Sequence, residues 1–559
     1  MADSSPPSPP ELTGQLSEYA KTPGTAQHVV QLLRPPRLGL RSTPTLRSTY
    51  GSYPPLWPAL AAAWDIEAAR LASDDKDSIP AILALAAFLL SLCTQSPDNQ
   101  QHAVNHIEPS LRQVLLAASS LFNLEDPTYT DMTRVCCQAL ANLVTDNEHL
   151  ARTFFPRRLE LEVDDNLIQR LLASPDHGTL QAVLIFLLNS IHGNRERALL
   201  LGTSKAGAAI LDRLMTIVSV LFDDETPEGI ASDEFHSDVF QLSFAIVQQL
   251  VELEVFAAAY EEHALMPGFA TSPTLVTLLK FLDGHLSLPL RARTPSALAL
   301  APFLVRQLAH LGAWLVDDGP SPGAGARVKN AADAKAFEGL VLVLHCACSI
   351  GLELERQGGE EREGEGEEGA SARGESEEKA REELAEGAET AVRLLGFSTT
   401  LLPPVSARPP PPSASSATSP SPTPSSAPPA PAPAPAPAPV PAAASPESTF
   451  AVAQLQRTLV QFLGIVSFAP PLTTTRPVPP ERVRRTQDRV RERGGLELLL
   501  SMCQMDERNT TMREHALFAV RNLLKNNQAS QDYVDALKPQ YKVGDNGELL
   551  DLPPPLRGE

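Results

Sequence analysis

Arg493-Gly494-Gly495-Leu496-Glu497-Leu498-Leu499-Leu500, followed by Met512-Arg513-Glu514-His515-Ala516-Leu517-Phe518-Ala519-Val520-Arg521-Asn522-Leu523-Leu524, reads as two helices joined by a short polar turn. Gly494 and Gly495 release the backbone into a tight turn, after which Leu496, Leu499, Leu500 and Cys503 recur at helical spacing. Asp506 to Thr511 is polar and turn-like. Ala516, Leu517, Val520, Leu523 and Leu524 then form a second apolar stripe, which Asn526, Asn527 and Gln528 end. Neither helix buries its stripe alone. The unit needs neighbours above and below, the condition that defines a stacked repeat of the armadillo type.

Such neighbours recur along the chain. Gln138-Ala139-Leu140-Ala141-Asn142-Leu143-Val144-Thr145-Asp146-Asn147 aligns without gaps on residues 518–527, and a looser copy ends Asn189-Ser190-Ile191-His192-Gly193-Asn194. In each copy the second asparagine stands five positions after the first. Further apolar helices without the pair are predicted at 80–93, 239–255, 275–282 and 337–350. Aromatic residues make up only 5% of the chain and no stretch alternates as strands do. The expected class is all-α: an armadillo-like helical solenoid with a long disordered insert.

Composition places the boundaries. Residues 1–50 are Pro/Ser-rich and expected to be largely disordered, and 51–356 carry an N-terminal helical array. Residues 357–449 form an insert, acidic to about Glu389 and then Pro/Ala/Ser-rich, where self-repulsion and extended polyproline backbone oppose a core. Residues 450–540 form a C-terminal armadillo-like domain, and 541–559 a loose polar tail. The formal charge of -21 argues against wrapping nucleic acid, which needs clustered Lys and Arg. The one basic cluster, Arg482, Arg484, Arg485, Arg489, Arg491 and Arg493, is read as a solvated helix face or a partner contact. Six cysteines in 559 residues make no disulfide framework. A reducing compartment fits that cysteine usage; the N-terminus shows no secretory pattern, and the apolar run at 79–93 is short for a membrane span and is read as a buried helix.

Catalytic signatures are missing. Gly202-Thr203-Ser204-Lys205-Ala206-Gly207 has the outer glycines of a phosphate loop but continues with Ala208 and Ala209 instead of lysine and a hydroxyl. No enzyme activity and no cofactor are expected. His345, Cys346 and Cys348 are soft ligands close together that would suit copper(I) or zinc, against the plainer reading that they pack in an apolar helix. The asparagines leave two readings open. In armadillo folds the third helix of each unit lines the concave surface, where Asn142, Asn522 and Asn189 would hold the backbone of an extended ligand. Alternatively each bonds a neighbouring loop and braces the stack. The aromatic slot that clamps basic targeting peptides in nuclear-import adaptors is Gln138 in one copy and Phe518 in the other.

Gln487-Asp488-Arg489-Val490-Arg491-Glu492-Arg493-Gly494-Gly495-Leu496, Asp506-Glu507-Arg508-Asn509, Arg513-Glu514-His515-Ala516 and Arg521-Asn522-Leu523-Leu524-Lys525-Asn526-Asn527-Gln528 together resemble the C-terminal domain of the ataxin-10 family. The resemblance spans about 486–537. It departs from the family at Thr510, usually proline, and at His515, tryptophan in animal members. The Pro/Ala-rich insert suggests a fungal homologue. The resemblance implies a cytoplasmic, noncatalytic scaffold connected with cytokinesis and cell division, with an extended or helical protein segment as partner. Some fungal relatives are called copper-transport proteins, so copper handling is one alternative and cargo adaptation another. Self-association through an uncapped solenoid end is a further expectation.

Overall fold

The computed structural model describes residues 6–160, 166–223, 233–264, 271–316, 331–356, 367–401, 446–468, 480–504, 509–537, 541–543 and 549–551. The chain divides into two compact units, 1–288 and 289–559.

The first unit is built of stacked helices. It opens with α1 (Pro9–Lys21), α2 (Ala26–Ser42), α3 (Thr45–Gly51) and α4 (Leu56–Ala72), followed by α5 (Ile79–Cys93), α6 (Pro97–His106), α7 (Glu108–Ala118) and the short α8 (Leu121–Leu124). Next come α9 (Pro127–Val144), α10 (Glu148–Leu159), α11 (Leu167–Leu171) and α12 (His177–Ile191). The unit closes with α13 (Arg195–Thr203), α14 (Lys205–Asp223), α15 (Asp233–Glu252), α16 (Phe256–Ala264) and α17 (Pro273–Leu286). Local chemistry starts many of these helices. Proline stands in the first turn of α6, α7, α9 and α17, where its missing N–H costs nothing, and Asp126, Asn147, Asp176 and Asn194 accept from backbone N–H groups at the starts of α9, α10, α12 and α13. The packing is periodic: α2, α5, α9, α12 and α15 form one ladder of neighbours, and α1, α4 and α7 another.

The second unit repeats the plan with α18 (Pro295–Leu298), α19 (Ala301–Val316), α20 (Ala331–Glu355), α21 (Glu367–Glu386), α22 (Ala388–Leu401), α23 (Pro446–Val466), α24 (Pro480–Glu492), α25 (Gly495–Ser501), α26 (Met512–Leu524) and α27 (Gln528–Ala536). Here α20, α23 and α26 form the ladder that corresponds to α5–α9, flanked by a second ladder of α19, α22 and α25. Gly494 and Gly495 fulfil the turn read from sequence. Gly494 takes φ +77°, and a Cβ on Gly495 would come within 2.7 Å of Val392 on α22.

Two boundaries move. Residues 1–50, expected to be largely disordered, hold three helices, because Leu12, Leu16, Tyr19, Val29, Leu33 and Leu40 recur at helical spacing and are buried. The acidic start of the insert is likewise structured at 367–401: Ala380, Leu384, Ala388, Ala391, Leu394 and Leu395 enter the core. Residues 402–445, the Pro/Ala/Ser tract, lie outside the described residues, as do 505–508 of the turn and 552–559 of the tail. The tail also contributes one small departure from the all-α class, a hairpin of β1 (Tyr541–Val543) and β2 (Leu549–Asp551) paired antiparallel.

Among the described residues three helical stretches, Lys76–Cys93, Pro295–Val316 and Lys335–Glu355, are long and apolar enough to cross a membrane. In the first, Ile82, Leu85, Phe88, Leu89 and Leu92 are buried as repeat core.

Candidate functional site

The paired asparagines divide their labour. Asn142 on α9 donates its amide to the Leu90 carbonyl of α5 at 2.9 Å and to the Thr94 hydroxyl at 3.3 Å. Asn522 on α26 donates in the same way to the Gly464 carbonyl of α23 at 2.9 Å, and Asn189 on α12 to the Thr145 hydroxyl at 2.9 Å. Each amide reaches back to the preceding repeat, which is the bracing alternative. The second asparagine starts the next helix. Asp146, Gly193 and Asn526 take φ of +54°, +62° and +58°, turning the chain so that Asn147, Asn194 and Asn527 accept from the N–H groups of Leu150, Arg197 and Ser530.

Sequence reading missed the third member of this clamp. Gln100 on α6 donates to the carbonyls of Asn142 (2.8 Å) and Thr145 (2.9 Å) and accepts from Asn147 at 2.8 Å. Gln487 on α24 donates to the carbonyls of Asn522 (2.8 Å) and Lys525 (3.1 Å) and accepts from Asn527 at 3.2 Å. Helices end with unpaired carbonyls, and one glutamine satisfies two of them in each unit. Asn509 was also missed as a brace; it donates to the Ala453 carbonyl of α23 at 2.8 Å.

The other candidates fall apart spatially. Phe518 is half-buried against Gly464, whose added Cβ would lie 3.0 Å from its ring, so it packs on α23 rather than framing an open slot. Cys346 and Cys348 are buried on α20, and the His345 ring lies 3.4 Å from the Thr458 hydroxyl. Neighbouring helical positions diverge, and no group of three or more metal-ligating side chains assembles among the described residues. Burial also pushes the thiols of Cys93, Cys136 and Cys137 up, away from the reactive thiolate.

Gln138, in contrast, lies in an open groove of about 700 Å³ in the first unit. The groove runs over α5 and α9, with Leu83, Leu90 and Val135 half-buried in its lining. Arg37, Arg41 and Arg47 line it from the α2 side. None of these three has a carboxylate partner among the described residues; Arg47 donates to the Thr94 carbonyl at 3.0 Å, and the Nε atoms of Arg37 and Arg47 are buried without a hydrogen bond. Arg134 differs, being held by Asp176 at 2.6 Å and Asp131 at 3.2 Å.

The basic helix α24 is not simply solvated. Arg482 pairs with Glu378, Arg489 with Glu386 at 3.0 Å and Arg493 with Glu389 at 2.6 Å, so α24 is zipped along α21 and the start of α22. Beside this seam is a small cavity of about 60 Å³ lined by Leu354, Leu384, Ile465, Glu355 and Arg381. Burial raises the Glu355 carboxyl to about 7, with Arg381 opposing, and its Oε1 has no hydrogen-bond partner among the described residues.

Residues 482–552 match the family model for the spinocerebellar ataxia type 10 protein domain. Ataxin-10 homologues from Dictyostelium discoideum (41% identical over 69 residues), Kluyveromyces lactis (33% over 92) and Saccharomyces cerevisiae (40% over 60) align with 12%, 16% and 11% of this chain. Those alignments cover 11%, 14% and 11% of the relatives' own lengths. Among solved structures, a chain of the SYS-1/POP-1 crystal complex is 14% identical with a TM-score of 0.38, over 92% of this chain and 72% of that one. A circular tandem repeat protein is 12% identical with a TM-score of 0.20, over 92% and 99%. Superpositions this loose add nothing to the repeats already visible in the chain.

Proposed function

We propose that this chain, which belongs to the ataxin-10 family through its C-terminal domain, is a noncatalytic protein-interaction scaffold. The observation that carries this reading is the α2–α5–α9 face: stacked helices leave a large groove in which three arginines, Arg37, Arg41 and Arg47, have no carboxylate partner among the described residues. Such a surface binds other macromolecules by complementary shape and charge. Family membership extends the reading to a cytoplasmic protein that acts in cytokinesis and cell division. Copper handling and cargo adaptation rank below it, because His345, Cys346 and Cys348 do not assemble into a metal-ligating group among the described residues and the adaptor's aromatic slots are Gln138 and a packed Phe518.

Two measurements test the reading. Cross-linking of the intact chain to proteins captured from dividing cells should place cross-links on α2, α5 and α9. Depletion in the source organism should leave multinucleate, undivided cells that wild-type protein rescues. Normal division after complete depletion would remove the division role. Cross-links confined to the chain's termini would remove the repeat face as the scaffold surface.

A further inference from the structure

Building on the scaffold reading, we propose that the groove of the first unit takes a peptide segment of a partner protein in which acidic and apolar side chains are interleaved. Charge identifies the occupant. The chain as a whole carries -21, yet Arg37, Arg41 and Arg47 converge on one groove and pair with no carboxylate among the described residues, the Asp131 of the same lining being held by Arg134. Other arginines do meet acids, Arg134 on the same lining and Arg197, Arg482, Arg489 and Arg493 away from it. A guanidinium nitrogen buried without a partner forfeits hydration for nothing, and two occur here, on Arg37 and Arg47. Carboxylates entering the groove would offer these side chains the charge-assisted hydrogen bonds that the described residues do not.

The lining defines the rest of the ligand. Leu83, Leu90 and Val135 offer an apolar floor beside the arginines, so a segment of acidic residues alone would leave half the groove unfilled. Gln138 presents an amide that can donate to and accept from a peptide backbone. Asn142 is not available for that role, since its donor is committed to Leu90 and Thr94.

The test is fluorescence anisotropy on the full chain with labelled peptides of three Glu-Glu-Leu-Ser repeats, and with Gln or Lys in place of Glu. The acidic peptide should bind best, and raising ionic strength from about 50 to about 300 mM should weaken it. The Arg37→Glu, Arg41→Glu variant should bind about tenfold more weakly, because two attractions become repulsions. It should melt with wild type, since neither side chain holds an ion pair. Equal binding of the Gln and Glu peptides, or unchanged affinity of the variant, would overturn the proposal. Tighter binding of a single-stranded RNA oligonucleotide than of the acidic peptide would overturn it too. The same variant separates this proposal from the scaffold reading: cross-links to α2, α5 and α9 that survive the charge reversal would overturn acidic recognition while leaving the scaffold in place.

Discussion

Replacing Asn522 with alanine deletes the donor that holds the Gly464 carbonyl at 2.9 Å, between α26 and α23, where Asn522 is only 2% exposed. No water easily replaces it. An orphaned buried acceptor costs about 1–3 kcal/mol, so Asn522→Ala should destabilise α26 by about 2 kcal/mol. Asn142→Ala removes the matching donor to Leu90, but both residues there are half-buried and solvent can reach the carbonyl, which reduces the cost to below about 1 kcal/mol. Native-state hydrogen exchange of the intact chain reads both effects. Amides of α26 should exchange roughly 30-fold faster in the Asn522 variant, and amides of α9 less than about fivefold faster in the Asn142 variant. If α26 keeps wild-type protection while partner binding falls, the bracing role is wrong and the amide belongs to a ligand.

Further outcomes follow from neighbouring contacts. Gln487→Ala and Gln100→Ala each remove three hydrogen bonds and should each cost about 3 kcal/mol in urea unfolding; a Gln100 effect less than half that of Gln487 would break the equivalence of the two clamps. Glu355 has a folded pKa raised above its unfolded value, so the folded state holds the extra proton and stability drops as pH rises from about 4.5 to about 7. Glu355→Gln should therefore stabilise the protein at pH above about 7 and make no difference below about 4.5, as pH-dependent melting would show. Arg489→Glu with Arg493→Glu should cost about 1 kcal/mol in total, these being partly exposed pairs, and Glu386→Arg with Glu389→Arg added should restore it. Absence of rescue in thermal melts would show that the seam is not held by charge.

Helical class and repeat character were legible because a 3.6-residue apolar stripe is local information. The five-residue asparagine step was legible as a pattern but ambiguous in role, since a side-chain amide bonds a ligand and a neighbouring carbonyl equally well. The placement of Leu90 and Gly464, which no local pattern carries, is what shows both amides bonded within the stack. The acidic stretch misled for a different reason. Glu378, Glu386 and Glu389 repel one another locally, and the arginines that neutralise them lie about a hundred residues further on. At the N-terminus, the Pro/Ser-rich first ten residues outweighed the buried spacing of Leu12, Leu16 and Tyr19. The groove was invisible in sequence, because its unpaired arginines come from α2 and α3 while its floor comes from α5 and α9.

The tract at 402–445 joins α22 to α23, two helices that pack against each other within the second unit. Its ends are therefore held near one another by the packing of α22 on α23. Doubling such a connection costs only about 0.6 kcal/mol, so its length is nearly free to drift between related genes. By the same reasoning the covalent link is dispensable: residues 1–401 and 446–559, produced as separate polypeptides, should find each other through the α22–α23 seam, and a reporter protein spliced between them should ride on an undisturbed stack.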